Sequence, residues 1–113
     1  MLNKDVVQKA IQIYGEAQQY IQTSEEVGEL LTKLSQYRRG RVGKEDVVEE
    51  LADVIIMFDC LKEMLYISDF ELTDMIEKKY KKFERQVNED SNDWNCFILC
   101  NSGYHMFYIN LYV

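Results

Sequence analysis

Acidic residues recur at helical spacing in two stretches of the chain. SEEVGELL at residues 24–31 and EELADV at residues 49–54 together supply Glu25, Glu26, Glu29, Glu50 and Asp53. Residues three apart share one face of an α-helix, so Glu26 is expected beside Glu29, and Glu50 beside Asp53. Converging carboxylates repel one another unless a cation lies among them. The spacing therefore predicts a metal site built from two helices.

The ligand types indicate which cation would suit such a site. Carboxylate oxygens without His or Cys favour Mg²⁺, with Mn²⁺ as a possible substitute, whereas Zn²⁺ prefers thiolate or imidazole. A di-iron bundle requires Glu-x-x-His, but the residues three after Glu26 and Glu50 are Glu29 and Asp53. We assign no role to His105, the single histidine. Magnesium is the expected ion.

Four stretches with helical periodicity must position these acids, and the chain has no proline to interrupt them. The pattern predicts an all-α fold with helices at about residues 4–14, 16–37, 44–66 and 69–87. The expected inward stripes are Tyr20, Val27, Leu30, Leu31, Leu34 and Tyr37 on the second helix, and Val47, Leu51, Val54, Phe58, Leu61 and Leu65 on the third. Antiparallel packing of these stripes would bring the four acids Glu26, Glu29, Glu50 and Asp53 together.

Composition limits the class of protein. Hydrophobic residues make up 47% of the 113 residues and charged residues 29%, which is typical of a globular domain. A net charge of -7 argues against a general nucleic-acid binder. The first ten residues lack the order of a signal peptide, so we expect a cytoplasmic protein with reduced thiols and with Cys60 in the core.

Basic residues are concentrated in two clusters. The clusters are Arg38, Arg39, Arg41 and Lys44 after the second helix, and Lys78, Lys79, Lys81, Lys82 and Arg85 in the fourth. One interpretation is two solvated surface patches, and the other is a site for a small molecule that carries phosphate.

The last twenty residues differ sharply from the rest. Residues 94–113 contain no Asp, Glu, Lys or Arg. We therefore separate a domain at residues 1–90 from an aromatic tail at residues 91–113. The sequence of the tail predicts an irregular segment or a hairpin, with strands at 96–100 and 104–112 on either side of Asn-Ser-Gly. Polar residues interspersed in the tail argue against a membrane anchor. The remaining alternatives are that the tail packs on the helical bundle, that it packs on a second subunit, or that it has no role.

These features carry a family resemblance. EEVGEL, followed after a basic loop by EELAD, resembles the Glu-Glu-x-x-Glu and Glu-x-x-Asp pattern of the MazG-like, all-α nucleoside triphosphate pyrophosphohydrolases, over about residues 4–87. The resemblance implies hydrolysis of (deoxy)nucleoside triphosphates to the monophosphate and pyrophosphate, which cleanses the nucleotide pool. Alternatives are a phosphoribosyl-ATP pyrophosphohydrolase, a relative that prefers dUTP or dCTP, or a non-catalytic helical interaction module.

The resemblance also implies roles for individual residues. Glu26, Glu29, Glu50 and Asp53 would hold Mg²⁺, and Glu25 would orient or deprotonate the attacking water. Lys79 and Lys82 would bind phosphate, and Arg38 would close over the substrate. Members commonly pair so that two subunits complete the helical bundle around each site. We therefore expect a homodimer or homotetramer without nucleic-acid or membrane partners.

Overall fold

The computed structural model describes residues 2–100, with side chains described for residues 2–94. Its helices are α1 (Lys4–Tyr14), α2 (Glu16–Arg38), α3 (Lys44–Met64) and α4 (Asp69–Cys100). The part of the chain that is described contains no strand. The predicted all-α class and the four helices are therefore confirmed.

The start and end of α1 follow from two residues. The Asn3 side chain accepts a hydrogen bond from the backbone N–H of Asp5 at 2.9 Å, so Asn3 caps the helix as its residue type predicts. Gly15 has φ 84° and ψ 155°, a conformation that residues with a Cβ avoid. The chain therefore turns at Gly15 and starts α2 at the next residue.

Polar contacts attach α1 to the C-terminal half of α3. The Gln8 amide donates to the Glu63 carboxylate at 2.8 Å, and the Lys4 ammonium lies 3.8 Å from the same side chain. The backbone N–H of Leu2 donates to Asp59 at 3.2 Å. These exposed contacts are individually weak, so they fix the position of α1 more than they stabilise it.

Helices α2 and α3 form an antiparallel hairpin joined by residues 39–43. Gly40 takes a positive φ of 68° as the chain leaves α2. The backbone N–H of Gly43 then donates to the Asp46 carboxylate at 2.8 Å, which satisfies a donor at the start of α3. The short connection keeps the two helices side by side, and this pair makes the most extensive helix packing in the chain's first 68 residues.

The buried core of residues 2–68 is small. Val7, Met57 and Cys60 form a buried cluster with Ile11 against it, and Val54 and Met64 are also buried on α3. The buried position of Cys60 confirms its prediction as a core residue. Burial, and then the negative charge of Asp59, raise the pKa of the Cys60 thiol, which keeps it protonated and unreactive at neutral pH.

The predicted inward stripes are wrong in part. On α3, Val54 is buried as expected, but Leu51, Phe58 and Leu65 each keep close to half of their surface exposed. Met57, Cys60 and Met64 are buried instead. The cause is α1, which packs on α3 from a second direction and draws a different set of side chains inward. Four residues of the expected α2 stripe are likewise exposed: Tyr20, Leu31, Leu34 and Tyr37.

The fourth helix is longer than periodicity predicts. It runs to Cys100, so the proposed strand at residues 96–100 is wrong, and residues 104–112 lie outside the described part. An uncharged aromatic sequence is compatible with helix as well as strand, and periodicity alone does not separate them in short apolar runs. The chain divides into two compact units, residues 1–68 and residues 69–113.

Among the described residues, no helix combines the length and the apolar content that a membrane crossing requires.

Candidate metal centre

Three carboxylates converge between α2 and α3. Glu26, Glu29 and Glu50 each offer an oxygen, and these oxygens all lie within 4.8 Å of one another. Glu26 and Glu50 are partly buried and Glu29 is exposed. Two of the carboxylates come from one helix and the third from its antiparallel neighbour, so the cluster depends on the α2–α3 packing.

The pKa of Glu50 reflects the electrostatics of the cluster. Partial burial, followed by the negative charge and a hydrogen bond of Glu29, raises the pKa of Glu50 above its ordinary value of 4.5. Asp53 adds to this effect, whereas the positive charge of Lys33 opposes it. The charged form of Glu50 is therefore disfavoured first by desolvation and then by the neighbouring carboxylates.

Two supporting residues were not predicted from the sequence. The Gln22 amide donates a hydrogen bond to the Glu26 carboxylate one turn further along α2. Lys33 is partly buried, follows Glu29 by four residues, and brings a positive charge close enough to influence Glu50. Both lie at the i,i+4 spacing from a cluster acid, and that spacing was the available signal.

The other two predicted acids lie around the cluster rather than in it. Asp53 is partly buried on α3, one turn from Glu50, and its charge acts on that residue. It is not one of the three residues whose oxygens converge. Glu25 is exposed and turned about 100° around α2 from Glu26. The structure therefore brings together three of the five acids.

Arg38 lies away from these acids. It is exposed in the last turn of α2, nine residues or about 13.5 Å along the helix from Glu29. There it lines an open groove of about 460 Å³, together with Leu31, Leu34, Ser35 and Arg39. This groove is basic and apolar, and the acidic cluster does not contribute to its lining.

The predicted basic residues of α4 belong to the second unit and are described within it. Lys79 and Lys82 are exposed and, being three residues apart, share one face of α4. The neighbouring Lys78 ammonium lies 2.6 Å from the Asp74 carboxylate one turn earlier. Lys78, one of the five basic residues at 78–85, is therefore paired with an acid of its own helix.

The donor set fits a hard divalent cation. Three carboxylates supply only oxygen ligands, and no His or Cys belongs to the group. Mg²⁺ is commonly held by a few carboxylates while it keeps water or phosphate oxygens as its remaining ligands. Desolvation is the main cause of the raised pKa of Glu50, and a bound cation would offset the repulsion from Glu29 and Asp53 that adds to it.

Comparison of the chain with models of known protein families, with curated proteins and with solved structures finds no match.

Proposed function

We propose that this chain is a Mg²⁺-dependent hydrolase that converts nucleoside triphosphates to the monophosphate and pyrophosphate. The observation that carries the proposal is the convergence of Glu26, Glu29 and Glu50 across α2 and α3. The sequence resemblance supplies the reaction, and the cluster supplies a site with the required ligand chemistry. Glu26, Glu29 and Glu50 are the proposed metal ligands, with Asp53 as a further ligand in the same region.

The bound cation would neutralise charge on the phosphate oxygens and lower the pKa of a coordinated water. In this proposal Glu25 and Gln22 each have one role. Glu25 accepts the proton of the attacking water, whose oxygen forms a bond to the α-phosphorus. The bond from that phosphorus to the bridging oxygen of the β-phosphate breaks, and pyrophosphate leaves with the electron pair. Gln22 holds the Glu26 carboxylate in position through its hydrogen bond.

The basic residues contribute to substrate binding in this proposal. From the sequence resemblance we expect Lys79 and Lys82, which lie in the second unit, to bind phosphate. For Arg38 we expect a smaller effect, because it lies about 13.5 Å along α2 from Glu29 and lines a different groove. Preference for a particular base, including dUTP or dCTP, or for phosphoribosyl-ATP, would come from the shape and hydrogen bonding of the pocket.

The substrate panel is the first experiment. Purified full-length chain is incubated with each common ribo- and deoxynucleoside triphosphate and with phosphoribosyl-ATP, in Mg²⁺ and separately in Mn²⁺. We expect equimolar monophosphate and pyrophosphate from at least one substrate, with EDTA abolishing release. Absence of turnover with every substrate in both metals would contradict the enzyme and favour a helical interaction module.

The site assignment is tested with isosteric variants. Replacing Glu26 or Glu50 by Gln, or Asp53 by Asn, removes a charge from the metal region while keeping the side-chain shape. We expect kcat/KM to fall at least about 100-fold while helicity by circular dichroism is retained. Glu49→Gln is the matched control, since Glu49 is exposed on α3 next to Glu50 and lies outside the cluster. Equal losses in the control and the cluster variants would refute the assignment.

A further inference from the structure

The side of α2 that converges with α3 at the acidic cluster carries polar residues along most of its length. Spaced by three, four, three and four, they are Gln19, Gln22, Glu26, Glu29 and Lys33, and we call them the polar α2 stripe. Helix geometry places all five within about 80° of one another around the axis. All except Glu29 are at least partly buried. Positions with this spacing in packed helix pairs normally hold apolar residues, so packing does not account for the stripe.

Lys33 lies at the C-terminal end of the polar α2 stripe. It is partly buried, and helix geometry turns it only about 20° around the axis from Glu26. Its positive charge acts on Glu50 across the helix pair, which places the ammonium near the acids. Among residues 2–94, no carboxylate forms an ion pair with this ammonium. Lys33 therefore holds a positive charge beside the cluster that no direct contact with a carboxylate neutralises.

Gln19 lies at the N-terminal end of the stripe. Only 6% of it is exposed, and it is the one buried polar residue in the described part of the chain. Its backbone is paired, since its N–H donates to the Gly15 carbonyl at 3.2 Å and its carbonyl accepts from the Thr23 hydroxyl at 2.8 Å. No residue among 2–94 forms a hydrogen bond with its side-chain amide. Buried amides are nearly always paired, so this one has the character of a ligand-binding group.

The acids lie between these two ends. Gln19 precedes Glu26 by about 10.5 Å along the axis, and Lys33 follows Glu29 by about 6 Å. The stripe therefore has an uncharged amide at one end, carboxylates in the middle and an ammonium at the other end. A nucleoside triphosphate has the complementary order of groups. Its base forms hydrogen bonds with amide side chains, its α-phosphate can share a cation with carboxylates, and its β- and γ-phosphates attract a lysine.

We propose that the nucleotide binds along the polar α2 stripe in one direction, with its base at Gln19, its α-phosphate at the acidic cluster and its β- and γ-phosphates at Lys33. The proposal rests on the proposed hydrolase function for the identity of the ligand, and it adds the orientation of that ligand and two binding residues. When the bond between the α-phosphorus and the bridging oxygen breaks, Lys33 donates hydrogen bonds to the leaving pyrophosphate. Gln19 both donates to the base and accepts from it.

The test measures how the two reaction products bind to the 113-residue chain in Mg²⁺, by isothermal titration calorimetry. The probes are inorganic pyrophosphate, the four common nucleoside monophosphates, and ribose 5-phosphate, which has a sugar and a phosphate but no base. We expect the wild type to bind pyrophosphate, and to bind at least one monophosphate more tightly than ribose 5-phosphate. Because the probes are products, the measurement does not require turnover.

Two substitutions should act on different probes. Lys33→Met removes the charge, so the Kd of pyrophosphate should rise at least about tenfold while that of the monophosphate stays nearly unchanged. Gln19→Met removes the amide, so the Kd of the monophosphate should rise roughly tenfold, toward that of ribose 5-phosphate, without a change for pyrophosphate. Lys9→Met and Gln12→Met are the matched controls, because both residues are exposed on α1, and they should change neither Kd. If a variant loses helicity by circular dichroism, Lys33→Gln or Gln19→Leu replaces it.

The outcomes separate this orientation from the hydrolase itself. Turnover of a nucleoside triphosphate, together with product binding that ignores Lys33→Met and Gln19→Met, would overturn the orientation and leave the hydrolase standing. An exchange of the two effects, with Lys33→Met weakening the monophosphate and Gln19→Met weakening pyrophosphate, would also overturn it. Absence of turnover with the expected pattern of binding would refute the hydrolase and retain the orientation. A wild type that binds neither pyrophosphate nor any monophosphate would overturn the orientation whatever the turnover.

Discussion

The three clustered carboxylates have different surroundings, although they belong to the same residue type. Glu26 receives a hydrogen bond from Gln22, which fixes its carboxylate. Glu50 is partly buried beside Glu29, and its pKa is raised. Glu29 is exposed, so water screens its charge most effectively. A cation would therefore change the environment of Glu50 more than that of Glu29.

The raised pKa of Glu50 predicts a pH dependence of stability in the metal-free protein. The folded state binds the Glu50 proton more tightly than the unfolded state, whose carboxyl titrates near 4.5. The contribution of Glu50 to the free energy of unfolding therefore falls as pH rises from about that value through the folded-state pKa. We expect Glu50→Gln to lose this dependence. Melting temperatures in EDTA from pH 4.5 to 7.5 measure it, and parallel curves for the two proteins would contradict the assignment.

Gly28 lies in the middle of α2 between the cluster acids. A Cβ built at this position has no neighbour within 4 Å, so the structure shows an open surface position rather than close backbone packing. We expect Gly28→Ala to raise the free energy of unfolding by about 0.5–1 kcal/mol, because alanine loses less conformational entropy than glycine when the helix folds. Urea denaturation measures the change. A loss of stability would show that the position is packed in solution.

At the scale of the elements, the acidic cluster depends on how α2 and α3 are connected and aligned. The cluster takes Glu26 and Glu29 from one helix and Glu50 from the other, so a shift of one residue along α3 would turn Glu50 by about 100°. The short loop with Gly40 and the Gly43–Asp46 hydrogen bond restrict such shifts. Helix α1 adds a second constraint through its contacts with the end of α3.

The junction between α1 and α2 depends on Gly15. Its φ of 84° with ψ of 155° is accessible to glycine and strained for other residues, although space for a Cβ is open. We expect Gly15→Ala to lower the free energy of unfolding by about 1–3 kcal/mol. Gly28→Ala is the matched control, because the same substitution should have the opposite sign there. Equal effects at the two glycines would argue against conformational strain as the cause.

At the scale of the whole molecule, few of the side chains at residues 2–94 are buried. Only five apolar residues among those described are buried: Val7, Val54, Met57, Cys60 and Met64. The hydrophobic contribution to stability from this core is accordingly limited. Ligand binding or association with another chain would add to this stability.

Divalent metal should therefore stabilise the protein measurably. If Glu26, Glu29 and Glu50 bind Mg²⁺ or Mn²⁺ only when folded, the free energy of unfolding should rise with the logarithm of metal concentration above the dissociation constant. Differential scanning fluorimetry at fixed protein concentration measures the shift, with Glu50→Gln as the control that should not respond. A melting temperature that ignores millimolar concentrations of both metals would count against the site.

The sequence by itself determined the local features. Helical periodicity without proline gave four helices, Asn3 and the glycines marked their ends, and the i,i+3 spacing of Glu26 and Glu29 placed them on one face of α2. These properties depend on residues within a few positions of one another, so they can be predicted from the sequence alone. The extent of α4 was missed, because residues 88–93 are all polar and continue no apolar stripe, and the uncharged run after them is compatible with either helix or strand.

Only the tertiary structure decided which side of each helix faces inward. The apolar residues of α3 surround much of its circumference, so periodicity was compatible with both Leu51 and Met57 as core residues. The packing of α1 and α2 on α3 selected Met57, left Leu51 exposed, and placed Glu50 with Glu26 and Glu29 but Asp53 outside the convergence. Such choices depend on contacts between residues far apart in the chain, and local sequence patterns do not encode the direction from which a neighbouring helix packs.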